Sequence, residues 1–412
     1  MSALKPGRRP ADYPGVSSMR LKTPSAAASI PELDDGRPEA LRFLRPEPPP
    51  LSDAARYYAL AEEKRFYSNG GPCHELLATR LAQYVGDVIC IPVSNCTLGL
   101  MAALRVICGE PTPGRRLVAV PSFTFTASAS AIRWAGFEPL FVDIAPDSWQ
   151  LDPAALAAAL AAHPGAVAGV MGCSTFGTPA PSAFRDRWRA LCDEHAVPLL
   201  IDSAAGFGAV DDRGRLLGGQ GETEVFSFHA TKPFAVGEGG AIVTSDPAVA
   251  EGVRQMINFG LDPVLRTSVT AGLNAKMSEL HCAMGLAMLD RYDEALGRRR
   301  ATAAHLRALV AAHPVSYQGG SAGSTWQGFQ LTLPTAEHRR RAESLAAAGN
   351  IEARTYFDPP LHRHPAHAAA PVAGTLAVTD DVGARSLSLP MANTLGPRQT
   401  ARIAALLDAV FA

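Results

Sequence analysis

The chain has 412 residues, 47% hydrophobic and 19% charged, enough for a sizeable core and two or three structural units. Its 38 Lys+Arg against 39 Asp+Glu give a formal net charge of −1, so overall charge points to neither nucleic acid nor an anionic membrane as a partner. No apolar run approaches the roughly 20 residues of a membrane-crossing helix, no signal-peptide core follows the basic start Met1–Arg9, and the seven cysteines include no C-x-x-C pair, which favours reduced thiols in a cytoplasmic protein over disulfides or zinc.

Residues 1–52 are rich in Pro, Ser and Arg and end in Pro46-Glu47-Pro48-Pro49-Pro50. They read as an irregular or partly mobile N-terminal arm, loose or wrapped on a partner subunit. A large α/β domain over 53–285 follows. Ala54–Lys64 and His74–Tyr84 have helical spacing, separated by Ser68-Asn69-Gly70-Gly71-Pro72. Short apolar runs at Val88–Val93, Arg116–Val120, Pro139–Val142, Ala166–Met171, Pro198–Ile201, Val225–Phe228 and Gly240–Thr244 read as buried strands. Helical patterns at Asn95–Val106, Ala127–Ala135, Pro153–Ala162 and Ser182–His195 alternate with them, which predicts a mostly parallel sheet. A helical pattern from Ser278 to Ala312, broken at least once, leads into a smaller C-terminal α+β domain over 286–412. Trp326–Leu333, Ala353–Phe357 and a last helix over Pro397–Phe411 belong to it.

Four segments carry candidate chemistry. In Phe226-Ser227-Phe228-His229-Ala230-Thr231-Lys232, followed by Glu238-Gly239-Gly240, a lysine follows a strand end in a loop of small residues. In an open α/β sheet, ligands bind outside the carboxyl ends of the strands, so Lys232 stands where an amine can meet a cofactor. Thirty residues earlier, Pro198-Leu199-Leu200-Ile201-Asp202-Ser203-Ala204-Ala205 places an acid at the end of an apolar strand. A carboxylate there can keep a pyridinium nitrogen protonated or cap the following turn by accepting backbone N–H groups. Val93-Ser94-Asn95-Cys96-Thr97-Leu98 turns from strand into helix, where free N–H groups and the dipole favour a phosphate. Val120-Pro121-Ser122-Phe123-Thr124-Phe125-Thr126 sets an aromatic just past a strand end, to stack on a flat ring or to fill the core.

Together these segments resemble the DegT/DnrJ/EryC1/StrS nucleotide-sugar aminotransferases, over roughly Phe66–Pro390. The resemblance implies a fold-type I architecture with pyridoxal 5′-phosphate (PLP) as cofactor. By it, Lys232 holds PLP as an imine and shuttles the proton, and Asp202 pairs with the pyridine nitrogen. Phe123 and Ala204 cover the two ring faces, and Ser227 with Cys96, Thr97 and Leu98 binds the phosphate. Asn274, in Gly272-Leu273-Asn274-Ala275-Lys276-Met277-Ser278-Glu279, reaches the phosphate of a neighbouring subunit, implying a homodimer with shared active sites. Ala205 stands where many members have Gln or His, Cys96 where Gly or Ser is common, and Lys276 where Arg is common. Lys232 separates the chain from dehydratase relatives that carry His at this position.

The resemblance extends to substrates: L-glutamate as amino donor and a dTDP-linked keto-sugar as acceptor. Arg354-Thr355-Tyr356-Phe357-Asp358-Pro359-Pro360 is similar to a pattern of enzymes acting at C4 of the sugar, which implies dTDP-4-keto-6-deoxyglucose as acceptor. Lys276, Arg354 and Tyr356 are the candidate substrate contacts. Action at C3 or on another keto-sugar, or a PLP-binding regulatory protein without turnover, are the competing readings. His362, His364 and His367 lack a carboxylate or thiol set at ligand spacing and read as an exposed loop, not a metal site.

Overall fold

The computed structural model describes residues 39–412. Seven strands form its main sheet: β1 (Ile89–Val93), β2 (Leu117–Pro121), β3 (Glu138–Val142), β4 (Val167–Cys173), β5 (Leu199–Asp202), β6 (Thr223–Ser227) and β7 (Gly240–Thr244). Their spatial order is β1-β7-β6-β5-β4-β2-β3; β7 is antiparallel to both neighbours and the other pairs are parallel. The strands are near-continuous apolar runs because helices cover both faces of the sheet.

Side chains alternate between two cores, as the two-residue period of a strand requires. Val225, Ile242, Leu200 and Met171 point into one core, built with helices Cys96–Cys108, Thr126–Trp134 and Pro247–Met256. Phe226, Val243, Ile201 and Val170 point the other way. There they meet helices Leu51–Lys64, Pro72–Val85 and Glu279–Leu289 at one end, and Pro153–Ala162 and Ser182–Glu194 at the other.

The break expected within 278–312 falls at Asp290 and Arg291, between Glu279–Leu289 and Tyr292–Leu309. The second of these helices joins two cores. Tyr292, Ala295 and Leu296 pack beside the main sheet, while Ala303 and Leu306 pack with β8 (Phe329–Thr332) and β9 (Ser386–Leu389), an antiparallel pair. Helices Ala336–Ala348 and Pro397–Phe411 cover that pair. Residues 39–50 are irregular but not loose. Leu41 bridges Ile351, Leu44 bridges Met391, and Leu41 and Phe43 are buried. Of the arm expected over 1–52, residues 39–50 are thus tied to their own chain, and residues 1–38 lie outside the described residues.

Helices Pro247–Met256, Ala336–Ala348 and Ala377–Arg385 and strand β9 were not anticipated from the sequence. Ala336–Ala348 buries only Ala342 and Ala346, a stripe too weakly apolar to stand out among its arginines. β9 is four residues of Ser-Leu alternation. Among the described residues no helix is long and apolar enough to cross a membrane, and all seven cysteines are free.

Candidate active site

A cavity of about 1010 Å³ opens at the carboxyl ends of the parallel strands. Asp202 closes β5, Ser227 closes β6, and Lys232 is the fifth residue after β6, its N–H on the His229 carbonyl at 2.9 Å. Cys96, Thr97 and Leu98 open the helix after β1, whose cap Asn95 accepts the Leu98 N–H at 2.9 Å. Asp202, Ala204, Ser227, Lys232, Cys96, Thr97 and Leu98 all line this one cavity. Gly240 makes the convergence possible: a Cβ there would lie 2.6 Å from the Phe226 carbonyl and 3.0 Å from the Cys96 nitrogen, so any side chain would push the helix start off the sheet.

Asp202 is held on both oxygens. Ser128 Oγ donates to Oδ2 at 2.7 Å, the Ala204 N–H donates to Oδ1 at 3.1 Å, and Cys96 Sγ stands 4.0 Å from Oδ1. The Ala204 bond shows that Asp202 also caps its own turn. Burial pushes the carboxyl pKa up, against the pull of Ser128 and of the Lys232 charge, and nearby Glu224 pushes in the same direction as burial. Glu224 is itself buried, bonded to Arg185 at 3.1 Å and to the Gly218 N–H at 2.8 Å, with Ser203 donating to it.

The Lys232 amine makes no hydrogen bond among the described residues. Burial lowers its pKa, and the nearby Asp202 carboxylate only partly restores it. Its surface is not fully closed, because the cavity reaches it while protein surrounds the rest. An amine whose charged form burial disfavours, beside an acid that lacks a cationic hydrogen-bond partner, suits PLP. The ring nitrogen would give Asp202 that partner, the helix start would receive the phosphate, and Lys232 would be the covalent anchor. Two buried polar atoms on the wall, Thr175 Oγ1 and Gln327 Oε1, also lack partners, as expected where a polar ligand belongs.

Several expected site residues lie elsewhere. Phe123 is not on the cavity wall: it is fully buried in an aromatic cluster, 5.3 Å from Phe357 and 6.2 Å from Trp149 between ring centroids. Two residues on, Phe125 is 54% exposed and lines the cavity, as does Phe176. Both phenylalanines stood in the same motif; the sequence did not say which one the turn aims outward. Asn274 and Lys276 do not line the cavity of their own chain. Lys276 Nζ bonds Asn258 at 2.9 Å and sits over the Phe259 ring. Arg354 is also off the wall, its guanidinium 5.7 Å from the Phe43 ring centroid and 3.7 Å from Glu352. Tyr356 does line the cavity.

Sequence reasoning missed Ser128, Phe43, Leu44, Gln327 and Gln330. For Ser128 a signal existed, since it falls four residues after Thr124 and one helical turn returns it to the strand ends. The histidines do not form an exposed loop: His362 Nδ1 meets Ser122 Oγ at 2.8 Å, and His367 is buried edge-on to Phe141. Among the described residues no group of three or more potential ligands could hold a metal.

The family model of the DegT/DnrJ/EryC1/StrS aminotransferases matches residues 53–408. The chain belongs to this family. As in its relatives, the cofactor is PLP. The aminotransferase is 35% identical to Mycobacterium tuberculosis Rv3402c over 99% of this chain and 96% of that protein. Among solved structures, a Bacillus cereus protein described as a PLP-dependent aminotransferase superposes with a TM-score of 0.83 at 27% identity, covering 90% of this chain and all of the other. DesI, solved in the presence of its TDP-sugar product, gives 0.81 at 33% identity over 90% and 93%.

Proposed function

We propose that the enzyme transfers the amino group of L-glutamate to a nucleotide-linked keto-sugar in the cytoplasm, with dTDP-4-keto-6-deoxyglucose as acceptor and dTDP-4-amino-4,6-dideoxyglucose as product. The observation that carries the reading is the convergence of Lys232 and Asp202 on one cavity with a helix N-terminus. PLP, when bound, supplies an electron sink for the carbanion that transamination requires. The chain's own groups do the rest. Asp202, fixed by Ser128 and the Ala204 N–H, holds the proton on the ring nitrogen. Lys232, whose charged form burial disfavours, would be the attachment point, and its Nζ is the group that would carry a proton at the donor carbon. Ser227 and the turn at Cys96, Thr97 and Leu98 hold the phosphate.

A TDP-linked sugar is supported by the DesI likeness and action at C4 by the resemblance of Arg354-Thr355-Tyr356-Phe357, although relatives act at C4 and at C3. We also infer a homodimer. Asn274 does not line its own cavity, and Phe259, Val264, Leu265 and Val269 stand exposed nearby in the chain, a surface suited to a second copy. The test is a pair of half-reactions on PLP-loaded protein. Glutamate should bleach the visible absorbance, and the C4 keto-sugar should restore it faster than a C3 keto-sugar. No response to glutamate removes the transaminase reading, and faster recovery with the C3 ketone moves the chemistry to C3.

A further inference from the structure

Resting on that reading, the geometry points to the segment Leu41–Leu44 as a specificity element that receives the uncharged sugar ring of the amino acceptor. The family match begins at residue 53, just after this segment. Phe43 and Leu44 nevertheless form part of the cavity wall.

The segment is built in, not draped. The Leu41 N–H donates to the Asn350 carbonyl at 2.9 Å, and the Glu352 N–H returns to the Leu41 carbonyl at 2.9 Å. The Met391 N–H donates to the Phe43 carbonyl at 3.1 Å. The Glu352 carboxylate accepts the Phe43 N–H at 3.0 Å and pairs with Arg42 at 2.6 Å. The Phe43 ring is only 4% exposed and meets Tyr356 edge-on at 5.8 Å. Beneath it Gly328 leaves the room: a Cβ there would come within 3.1 Å of the ring.

The chemistry of this wall limits its occupant. Phe43, Leu44, Gln327, Gln330, Tyr356 and Phe357 line it, and none is charged. A glutamate carboxylate or a diphosphate placed here would lose its hydration with no cation in return. Arg354 does not substitute, since its guanidinium lies over the Phe43 ring and off the cavity. Gln327 donates to the Thr231 carbonyl at 2.9 Å, which leaves its Oε1 buried and unpartnered on the wall. A hydrocarbon surface with a few amide and hydroxyl groups is the recognition chemistry of a deoxysugar ring: apolar C–H faces with hydroxyls at fixed places.

The test separates the two half-reactions in Phe43→Ala and, as a milder variant that keeps the apolar anchor, Phe43→Leu. With dTDP-4-keto-6-deoxyglucose, the second-order constant of the acceptor step should fall roughly 10-fold in Phe43→Ala. The glutamate step should change several-fold less. Calorimetric Kd for dTDP-6-deoxyglucose, which lacks the ketone and cannot turn over, should rise by a factor similar to that of the acceptor step. Phe43→Leu should move the same two quantities in the same direction, and it carries the test if the alanine variant does not fold. Equal losses in both half-reactions, or an unchanged acceptor step and Kd, overturn the inference. Wild-type protein inert to glutamate is a different pattern: it sinks the proposed function, and this inference with it.

Discussion

Asp202, Ser227 and Lys232 reach the cavity from the ends of two adjacent strands and the turn that follows, whereas Phe43, Gln327 and Tyr356 reach it from three segments far apart in the chain. The first group is a floor whose geometry the sheet sets: β5 and β6 are neighbours in register, Asp202 beside Val225, so their carboxyl ends must meet. The second is a wall that exists only because Leu41 pairs with Ile351 and Leu44 with Met391. The floor concentrates ionisable groups with shifted pKa values, and the wall has no charge at all. On the proposed reading chemistry belongs to the floor and selection to the wall, and substitutions should separate the two.

The largest effect should come from Lys232→Ala. It removes attachment point and proton carrier together, so both half-reactions should fall by roughly 10⁴-fold or more. A variant that still transaminates at a tenth of the wild-type rate would move the chemistry off the floor. Asp202→Asn comes next, at about 10²–10³-fold in turnover, the scale of losing one preorganised electrostatic partner. It should also act on the cofactor-free protein with the opposite sign. Burial raises the Asp202 pKa in the fold. The stability this group contributes is therefore full below the ordinary carboxylate range and is lost as pH rises through the raised value. At neutral pH the cofactor-free asparagine variant should melt higher than wild type, and the gap should close in acid. A variant that melts lower at pH 7 would show that the carboxylate is comfortably ionised without PLP.

Ser128→Ala tests whether the floor needs its hidden support. A hydrogen bond to a charged group is worth about 1.5–3 kcal/mol, so PLP affinity, read by equilibrium dialysis, should fall roughly 10-fold or more. Ser128→Thr should restore most of it, which a purely packing role would not require. Phe123 and Phe125 offer a smaller and cleaner contrast. Phe123→Ala should cost about 3–5 kcal/mol of stability, as for a buried aromatic. Phe125→Ala should leave stability nearly intact and weaken cofactor or acceptor binding only a few-fold, in the range of an aromatic contact. Reversed outcomes would return Phe123 to the ring.

These contrasts explain what could be read from the chain alone. Continuous apolar runs ending in Asp202 and in Ser227 to Lys232 announce buried strands with chemistry at their ends, and the seven strands of the main sheet fall within about two residues of where those runs lie. Orientation at a turn is less legible. Phe123 and Phe125 have the same side chain two residues apart, and the backbone path between Pro121 and Thr126 decides which one faces the cavity. Contacts of long sequence separation are less legible still. Leu41 to Ile351 spans most of the described chain, and nothing local in Ala40-Leu41-Arg42-Phe43-Leu44 marks it as cavity wall instead of the end of a Pro-rich arm.

Arg354 should give the smallest response, and it bears most directly on where the wall ends. Sequence resemblance makes it a substrate contact. Its guanidinium, however, lies against Phe43 with Glu352 3.7 Å away, on a side chain 46% exposed. An exposed pair of this kind contributes about 0.2–1 kcal/mol, and a partly exposed cation over an aromatic ring adds a similar amount. Arg354→Ala should therefore raise the acceptor KM by no more than about five-fold, through a less firmly held Phe43, and leave the glutamate step alone. Arg354→Lys should recover little, because the flat guanidinium is what stacks on the ring. A loss of 100-fold or more in the acceptor step would mean that the guanidinium swings into the cavity when substrate binds, and the wall would then carry a charge after all.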